Sequence, residues 1–307
     1  MGLVFIAEGK NSKPWEKVFR DSGQELPISF YPHVKDYNAI TGAILWRHPY
    51  GIIEKFPNIS WITSLGAGVD HIMNDPYIPP HVKITRIVDP FLSRDISRTA
   101  IMAILAYQNN LLSYFKNKER YIWQPIDGKN DLSIGILGLG EMGYKIASDL
   151  ISLNYNVLGY SRSLKSLSGI KTYSGDYIPD DFLNKSDVLI SVLPLTLSTE
   201  NILNYNLFSR CKKGTYLVNL GRGGHLNEDD LVKAIQSGII SGAYLDVFKN
   251  EPLPADHPFW KIKEITITPH VASITRPDSA IKVIIENYKR HLNNQTLLYE
   301  VNRNKGY

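Results

Sequence analysis

The run from Ile134 to Gly143 reads Ile-Gly-Ile-Leu-Gly-Leu-Gly-Glu-Met-Gly, and it constrains the fold of this chain more than any other segment. It sets Gly138, Gly140 and Gly143 in GxGxxG spacing, after the apolar strand pattern Ser133–Leu137 and before the helical pattern Glu141–Leu153. Each glycine has a physical task. Gly138 permits a tight turn, Gly140 lets the backbone approach a pyrophosphate, and Gly143 lets the helix pack closely on the strand. Glu141 and Met142 open that helix, whose free N–H groups and dipole favour phosphate. A glycine-rich turn by itself is common. The complete strand–turn–helix context assigns this one to a dinucleotide.

The surrounding chain repeats the same logic. Apolar runs at Asn156–Tyr160, Val188–Val192, Thr215–Leu220, Ala243–Val247 and Glu264–Thr268 alternate with helical stretches at Pro179–Asn184 and Glu228–Ser237. Continuous apolar strands separated by helices predict a doubly wound parallel sheet buried on both faces. Before it, residues 1–95 carry short β-rich runs at Leu3–Ala7, Ala43–Trp46, Trp61–Leu65 and Val82–Ile87, the pattern of a smaller α/β unit. A long helix from Ile96 to Tyr107 and an extended aromatic arm from Tyr114 to Trp123 follow, and a last helix runs from Pro277 to Leu292. A chain of 307 residues has room for two domains, each with its own core. The composition shift near Asp95 and the helix after Pro277 predict a discontinuous arrangement: residues 1–94 with 277–307, and residues 95–276.

Composition excludes several function classes. Lys and Arg number 34 against 30 Asp and Glu, a net charge of +4 with no block of five like charges, so a nucleic-acid partner gains no support. The single cysteine, Cys211, cannot form an internal disulfide and lacks the Cys/His spacing of a zinc site, which predicts no metal and a reducing compartment. The Leu3–Ala7 stretch is far too short for a signal h-region, Ile6 stands where myristoylation at Gly2 would need Ser or Thr, and no apolar run is long enough to span a membrane. The expectation is a soluble cytoplasmic protein with no membrane partner.

The second strand of the dinucleotide unit predicts which coenzyme enters. An acidic residue there would accept the ribose 2′-OH of NAD, but the chain reads Leu158-Gly-Tyr-Ser161-Arg162-Ser-Leu-Lys165, without a carboxylate. A hydroxyl, a guanidinium and an ammonium would bind a 2′-phosphate that a carboxylate would repel. NADPH is therefore the expected cofactor, with NAD as a secondary one; the bland reading of Ser161, Arg162 and Lys165 is a solvated basic loop.

Three further segments stand at the ends of the later strands: Val218-Asn-Leu-Gly-Arg222-Gly-Gly, Leu245-Asp246-Val-Phe-Lys-Asn-Glu251-Pro-Leu-Pro254 and Ile267-Thr-Pro-His270-Val-Ala-Ser273. Ligands of open α/β sheets bind outside the carboxyl ends of the strands, so an Arg, a Glu and a His should share one pocket. With the glycine fingerprint and Leu193-Pro194-Leu-Thr-Leu-Ser-Thr199, these segments closely resemble the D-isomer-specific 2-hydroxyacid dehydrogenases over nearly the whole chain. Leu45-Trp46, Ser64-Leu-Gly-Ala67-Gly68-Val-Asp70, Trp123, Ser161-Arg162-Ser163, His270-Val-Ala-Ser-Ile-Thr-Arg276-Pro277 and the terminal Gly306-Tyr307 make it most similar to the bacterial glyoxylate/hydroxypyruvate reductase A type.

The resemblance implies a Rossmann cofactor domain and a smaller flavodoxin-like substrate domain, and reduction of small 2-keto acids such as glyoxylate and hydroxypyruvate. It assigns Arg222 to the substrate carboxylate and carbonyl, His270 to general acid, and Glu251 to the partner that orients and charges the imidazole. The chemistry agrees, since such a reduction needs a hydride at the carbonyl carbon, a proton for its oxygen and a cation for the carboxylate. Leu193, Pro194, Thr199, Leu220 and Gly221 match cofactor contacts, and Asp246 matches the residue near the nicotinamide carboxamide. The backbone of the Leu65–Gly68 loop, with Ala67 and Gly68, matches the segment that binds the substrate carboxylate; Trp46 and Arg276 look like further substrate residues. Leu164 departs from the pattern, because a second arginine is common there, which predicts weaker NADPH affinity.

The other seven histidines, His33, His48, His71, His81, His225, His257 and His291, carry no motif and are expected at the surface or in packing. The long helix and aromatic arm predict a homodimer. The main rival is a dinucleotide-sensing, corepressor-like regulator on the same fold; formate or phosphite oxidation fits less well, because the Pro-His-Val-Ala-Ser segment lacks a Gln-His pair.

Overall fold

The computed structural model describes residues 2–23 and 26–307. The chain forms two compact units, one from Met1–Leu92 with Ile274–Tyr307 and one from Ser93–Ser273. The expected boundaries stood at 94/95 and 276/277. Residues 274–276 go with the terminal helix because Arg276 is its N-cap residue, accepting from the Ala280 N–H at 3.0 Å.

The first unit is built on five parallel strands: β1 (Gly2–Ala7), β2 (Ile28–Phe30), β3 (Ile40–Trp46), β4 (Trp61–Ser64) and β5 (Lys83–Thr85). They lie in the order β2-β1-β3-β4-β5, the order of flavodoxin-like sheets. One face buries Val4, Ile6, Leu45, Ile62 and Ile84 under Phe56 and Ile72, while on the other Phe5 packs against Trp15 and Phe30. The C-terminal segment returns here for specific reasons. Val301 N–H donates to the Ile84 carbonyl at 2.8 Å, Thr85 and Glu300 form an antiparallel bridge, and His291 of the Pro277–Leu292 helix lies on the Trp61 ring.

The second unit holds seven parallel strands: β6 (Ser133–Leu137), β7 (Asn156–Ser161), β8 (Lys171–Ser174), β9 (Val188–Ser191), β10 (Thr215–Asn219), β11 (Ile240–Leu245) and β12 (Ile265–Ile267). Their order is β12-β11-β10-β9-β6-β7-β8, a doubly wound sheet with its switch point between β6 and β9. The period-two alternation of a strand sorts its side chains between two cores. Ile134, Ile136, Val188, Ile190, Val218 and Tyr244 go to one, and Leu137, Leu189, Leu217, Ala243 and Leu245 go to the other.

Two details differ from the sequence expectation. The aromatic segment from Tyr114 is mostly helix, since Leu111–Glu119 forms a second helix after a break at Asn110, whose φ is +53°. The extended arm begins only near Tyr121. The strands β2 and β8 also escaped the apolar-run criterion, because both are short and half-buried at sheet edges. No helix among the described residues is long and apolar enough to cross a membrane.

Candidate active site

In the second unit the glycine loop follows β6 at the switch point. Gly138 has φ +103°, and a Cβ at Gly143 would stand 1.8 Å from the Gly138 carbonyl oxygen, so the helix Glu141–Ser152 can begin this close to the strand only without a side chain there. Gly140 is different: a Cβ on it would meet nothing within 4 Å. That open room lies at the N-cap of a helix whose first turn receives no side-chain cap, with Glu141 and Met142 as its first two residues. Uncapped N–H groups beside vacant space are what a pyrophosphate requires, so the loop fits a dinucleotide.

Two loops flank it. After β7, Ser161 donates to the Ser163 carbonyl at 2.8 Å, and Arg162 donates from Nη2 to the Ser198 hydroxyl at 2.8 Å. Lys165 lies in the same loop, its carbonyl accepting from Thr172 at 2.6 Å, and Leu164 is exposed. No carboxylate occupies the end of β7, which suits a 2′-phosphate. After β9, the Leu193–Thr199 segment is closed by Thr199, whose hydroxyl donates to the Pro194 carbonyl at 2.7 Å and accepts from Thr196 N–H at 2.9 Å.

Arg222, Glu251 and His270 stand in the loops that follow β10, β11 and β12, three neighbouring strands of the sheet. Arg222 leaves β10 after the buried Leu220 and Gly221, and its Nη1 donates to the Gly221 carbonyl at 2.8 Å. Its backbone is held from both sides. The buried Asn219 amide donates to the Arg222 carbonyl at 3.1 Å, and Nδ1 of the fully buried His225 accepts from Arg222 N–H at 3.1 Å. A Cβ on Gly223 would come within 1.9 Å of the Phe248 carbonyl carbon, so the Arg222 loop abuts the backbone that leads to Glu251.

His270 has φ +54°, a left-handed conformation that costs a non-glycine residue about 1–3 kcal/mol and needs outside support. Asp246 supplies it. This carboxylate, 1% exposed, accepts from the Thr268 hydroxyl at 2.6 Å and from the Val271 and Ala272 N–H groups at 2.9 Å each, while its carbonyl accepts from His270 N–H at 2.8 Å. The imidazole Nδ1 then meets Glu251 Oε2 at 2.8 Å, and Glu251 Oε1 accepts from Phe248 N–H at 3.0 Å. A carboxylate at that distance accepts the Nδ1 proton and fixes the ring's orientation, which leaves Nε2 as the atom that can hand over a proton.

The first unit carries the remaining candidates. Trp46 ends β3, and a Cβ on Gly66 would lie 2.8 Å from its ring, so the Gly66-Ala67-Gly68 loop rests against the indole. Ser64 fixes that loop by accepting from Gly66 N–H at 3.2 Å and donating to the Gly68 carbonyl at 2.7 Å. Arg276 stands over the Phe91 ring, 5.2 Å from its centroid.

Two histidines read as motif-free have defined places. His225 anchors Arg222, and His48 Nε2 pairs with Asp75 at 3.0 Å, both side chains fully buried, while Asp75 also accepts from Tyr77 N–H at 3.0 Å. Nothing in the local sequence distinguishes them, because their partners are backbone groups or a carboxylate far along the chain.

Known proteins are similar to this chain in sequence and fold. The model of the D-isomer specific 2-hydroxyacid dehydrogenase NAD binding domain matches residues 101–272. Glyoxylate/hydroxypyruvate reductase A of Escherichia fergusonii is 34% identical over 100% of both chains, and that of Photorhabdus laumondii is 37% identical over 81% of this chain and 82% of its own. A D-isomer specific 2-hydroxyacid dehydrogenase from Xanthobacter autotrophicus, solved with NADPH and MES, superposes with a TM-score of 0.94 at 29% identity over 100% of this chain and 99% of that one. NADPH-dependent glyoxylate/hydroxypyruvate reductase from Sinorhizobium meliloti, solved with NADP and sulfate, gives 0.93 at 28% identity over 100% of both. A glycine loop at the switch point, an Arg, Glu and His set at the strand ends, and relatives matched from end to end lead to one conclusion: this chain belongs to the D-isomer-specific 2-hydroxyacid dehydrogenase family.

Proposed function

We propose that this protein is an NADPH-preferring reductase that converts small 2-keto acids, glyoxylate and hydroxypyruvate among them, into 2-hydroxy acids. The observation that carries the reading is the 2.8 Å contact between His270 Nδ1 and Glu251, held on a strained turn beside the anchored Arg222. The relatives matched along their whole length carry the reductase name, and their solved neighbours hold NADP or NADPH.

In this reading the bound nicotinamide supplies a hydride to the keto carbon, and the residues of the chain do the rest. Arg222 grips the substrate carboxylate and polarises the carbonyl, offsetting the charge that grows on its oxygen. His270 delivers the Nε2 proton to that oxygen, and Glu251 holds the ring and compensates its positive charge. Each turnover thus consumes one hydride and one proton and leaves the ring neutral, ready to be recharged from water. The glycine loop with Glu141 and Met142, the Ser161–Lys165 loop, the Leu193–Thr199 turn and Leu220–Gly221 hold the coenzyme, and Asp246 holds the turn beside it. The first unit is the substrate domain, and Trp46, the N–H groups at Ala67 and Gly68, and Arg276 are its candidate substrate residues. NADH serves as the weaker coenzyme.

The same reading makes the protein a homodimer. Tyr121 and Trp123 are 97% and 102% exposed, and Phe115 with Met102 and Leu105 adds exposed apolar surface on the preceding helices, the kind of surface that a partner subunit would cover. A cytoplasmic location agrees with a lone, buried thiol at Cys211. The test of the activity is NADPH oxidation with purified protein against glyoxylate, hydroxypyruvate, pyruvate and phenylpyruvate. Turnover that disappears in His270→Ala supports the reductase; absence of turnover with every acid, despite tight NADPH binding, sinks it in favour of a sensor. Light scattering at a monomer mass would refute the dimer.

A further inference from the structure

We propose that Ser198 is a positioning residue for coenzyme choice, its hydroxyl holding the Arg162 guanidinium where the 2′-phosphate of NADPH binds. The inference rests on the reading that the loop after β7 receives that phosphate.

Arg162 and Ser198 are 36 residues apart in sequence, on loops that follow β7 and β9, and the bond between them is 2.8 Å. The serine sits on a rigid support. Residues 196–200 form one turn in which Thr199 and Glu200 N–H groups donate to the Thr196 carbonyl at 3.0 and 2.9 Å. Inside that turn the hydroxyls form a chain whose direction can be worked out. Thr199 gives its proton to the Pro194 carbonyl at 2.7 Å, so at its 3.1 Å contact with Thr196 it accepts. Thr196, having donated, accepts in turn from Ser198 at 3.1 Å. Ser198 therefore presents its lone pairs to Arg162, and each donor in the series polarises the next acceptor.

The backbone beneath Arg162 is pinned as well, with Gly175 N–H donating to the Arg162 carbonyl at 3.3 Å and Thr172 to the Lys165 carbonyl at 2.6 Å. Only the arginine side chain would otherwise be loose, and a flexible cation loses rotamer freedom when it grips a phosphate. One N–H engaged by Ser198 fixes the plane of the guanidinium and leaves its other donors for the ligand. Arg162 shares the loop with one other cation, Lys165, and is the one that can meet a phosphate with a planar fork of donors, so coenzyme choice depends on how well that fork is held.

The experiment is calorimetric titration of the full-length protein with NADPH and with NADH, for the unmodified chain, S198A, S198T, R162A and the double variant R162A/S198A. The readout is the ratio of the NADH to the NADPH dissociation constant. S198A should lower it by about three- to tenfold, the worth of one partly exposed hydrogen bond to a charged group. S198T should recover most of the loss, and S198A should change nothing further once Arg162 is absent. A ratio in S198A within about twofold of the unmodified protein, or an equal loss with and without Arg162, overturns the positioning role. If R162A itself leaves the ratio intact, the coenzyme reading falls, and this inference with it.

Discussion

Asp246→Asn is the sharpest single test of how the catalytic turn is held. The substitution keeps size and shape but exchanges one carboxylate oxygen for an NH₂ group. Oδ1 accepts from Thr268 at 2.6 Å and Val271 N–H at 2.9 Å, and Oδ2 accepts from Ala272 N–H at 2.9 Å. Whichever way the amide turns, its NH₂ faces a backbone N–H, so one buried donor loses its acceptor at about 1–3 kcal/mol. The surviving bonds lose their charge assistance, about 1 kcal/mol each. The structure therefore sets the cost at about 3–5 kcal/mol before relaxation, and about 2–4 kcal/mol in equilibrium urea unfolding once the turn has shifted to relieve part of it. Relaxation has its own consequence. It moves His270, whose left-handed backbone is maintained by this same carboxylate, and misplacement by about 1 Å slows a positioned reaction about a hundredfold. Thr268→Val, which takes the hydroxyl away from Asp246 and from the Tyr244 hydroxyl but creates no opposed donors, should cost less, about 1–2 kcal/mol. If Asp246→Asn unfolds within about 0.5 kcal/mol of the unmodified protein and turns over at a similar rate, the account of the turn is wrong.

Three other outcomes are expected. Glu251→Gln should retain NADPH affinity in titrations but lower kcat for keto-acid reduction, because the imidazole loses the carboxylate that holds its ring from 2.8 Å away; an unaltered kcat would count against the relay. On the proposed reading, in which the guanidinium meets the acid both before and during reaction, Arg222→Ala should raise KM for glyoxylate and lower kcat together; a pure kcat effect would remove it from ground-state binding. His48 is held below its ordinary value near 6.5, chiefly by burial and against the opposing pull of Asp75, so the folded protein binds its proton less readily than the unfolded chain does. His48 stability is thus complete above about pH 6.5 and is lost as pH falls towards the lower folded value, with a slope of at most about 1.4 kcal/mol per pH unit. His48→Gln should flatten that part of the acid limb in unfolding measurements, and an identical limb would refute the contribution.

The layout of the larger unit was legible because its signals are local and repeated. Apolar runs such as Val188–Ser191 and Thr215–Asn219 declare buried parallel strands, since no solvent-facing side exists to call for alternation. The glycine loop was equally plain, as its geometry closes within ten residues. The short edge strand Lys171–Ser174 was invisible, because its half-buried polar residues take strand form only when β7 offers a ladder. The end of the long helix near Tyr107 was legible, but the second helix, Leu111–Glu119, was read into an extended arm because its aromatic and charged residues leave no buried face to betray a helical period.

For the site itself, residue types at strand ends carried Arg222, Glu251 and His270, and the family pattern supplied their roles. By itself the sequence determined which side chains are available and, through periodicity, which strands deliver them to one edge of a sheet. Tertiary structure alone decided what holds them: Asp246 beneath the His270 turn, His225 and Asn219 around Arg222, Ser198 against Arg162, and the return of Val301 to Ile84 that completes the first unit. The division has a physical cause. Periodicity is written into neighbouring residues, whereas a buried polar group is satisfied by whichever donor or acceptor the fold brings within 3 Å or so, and that partner can lie anywhere along the chain.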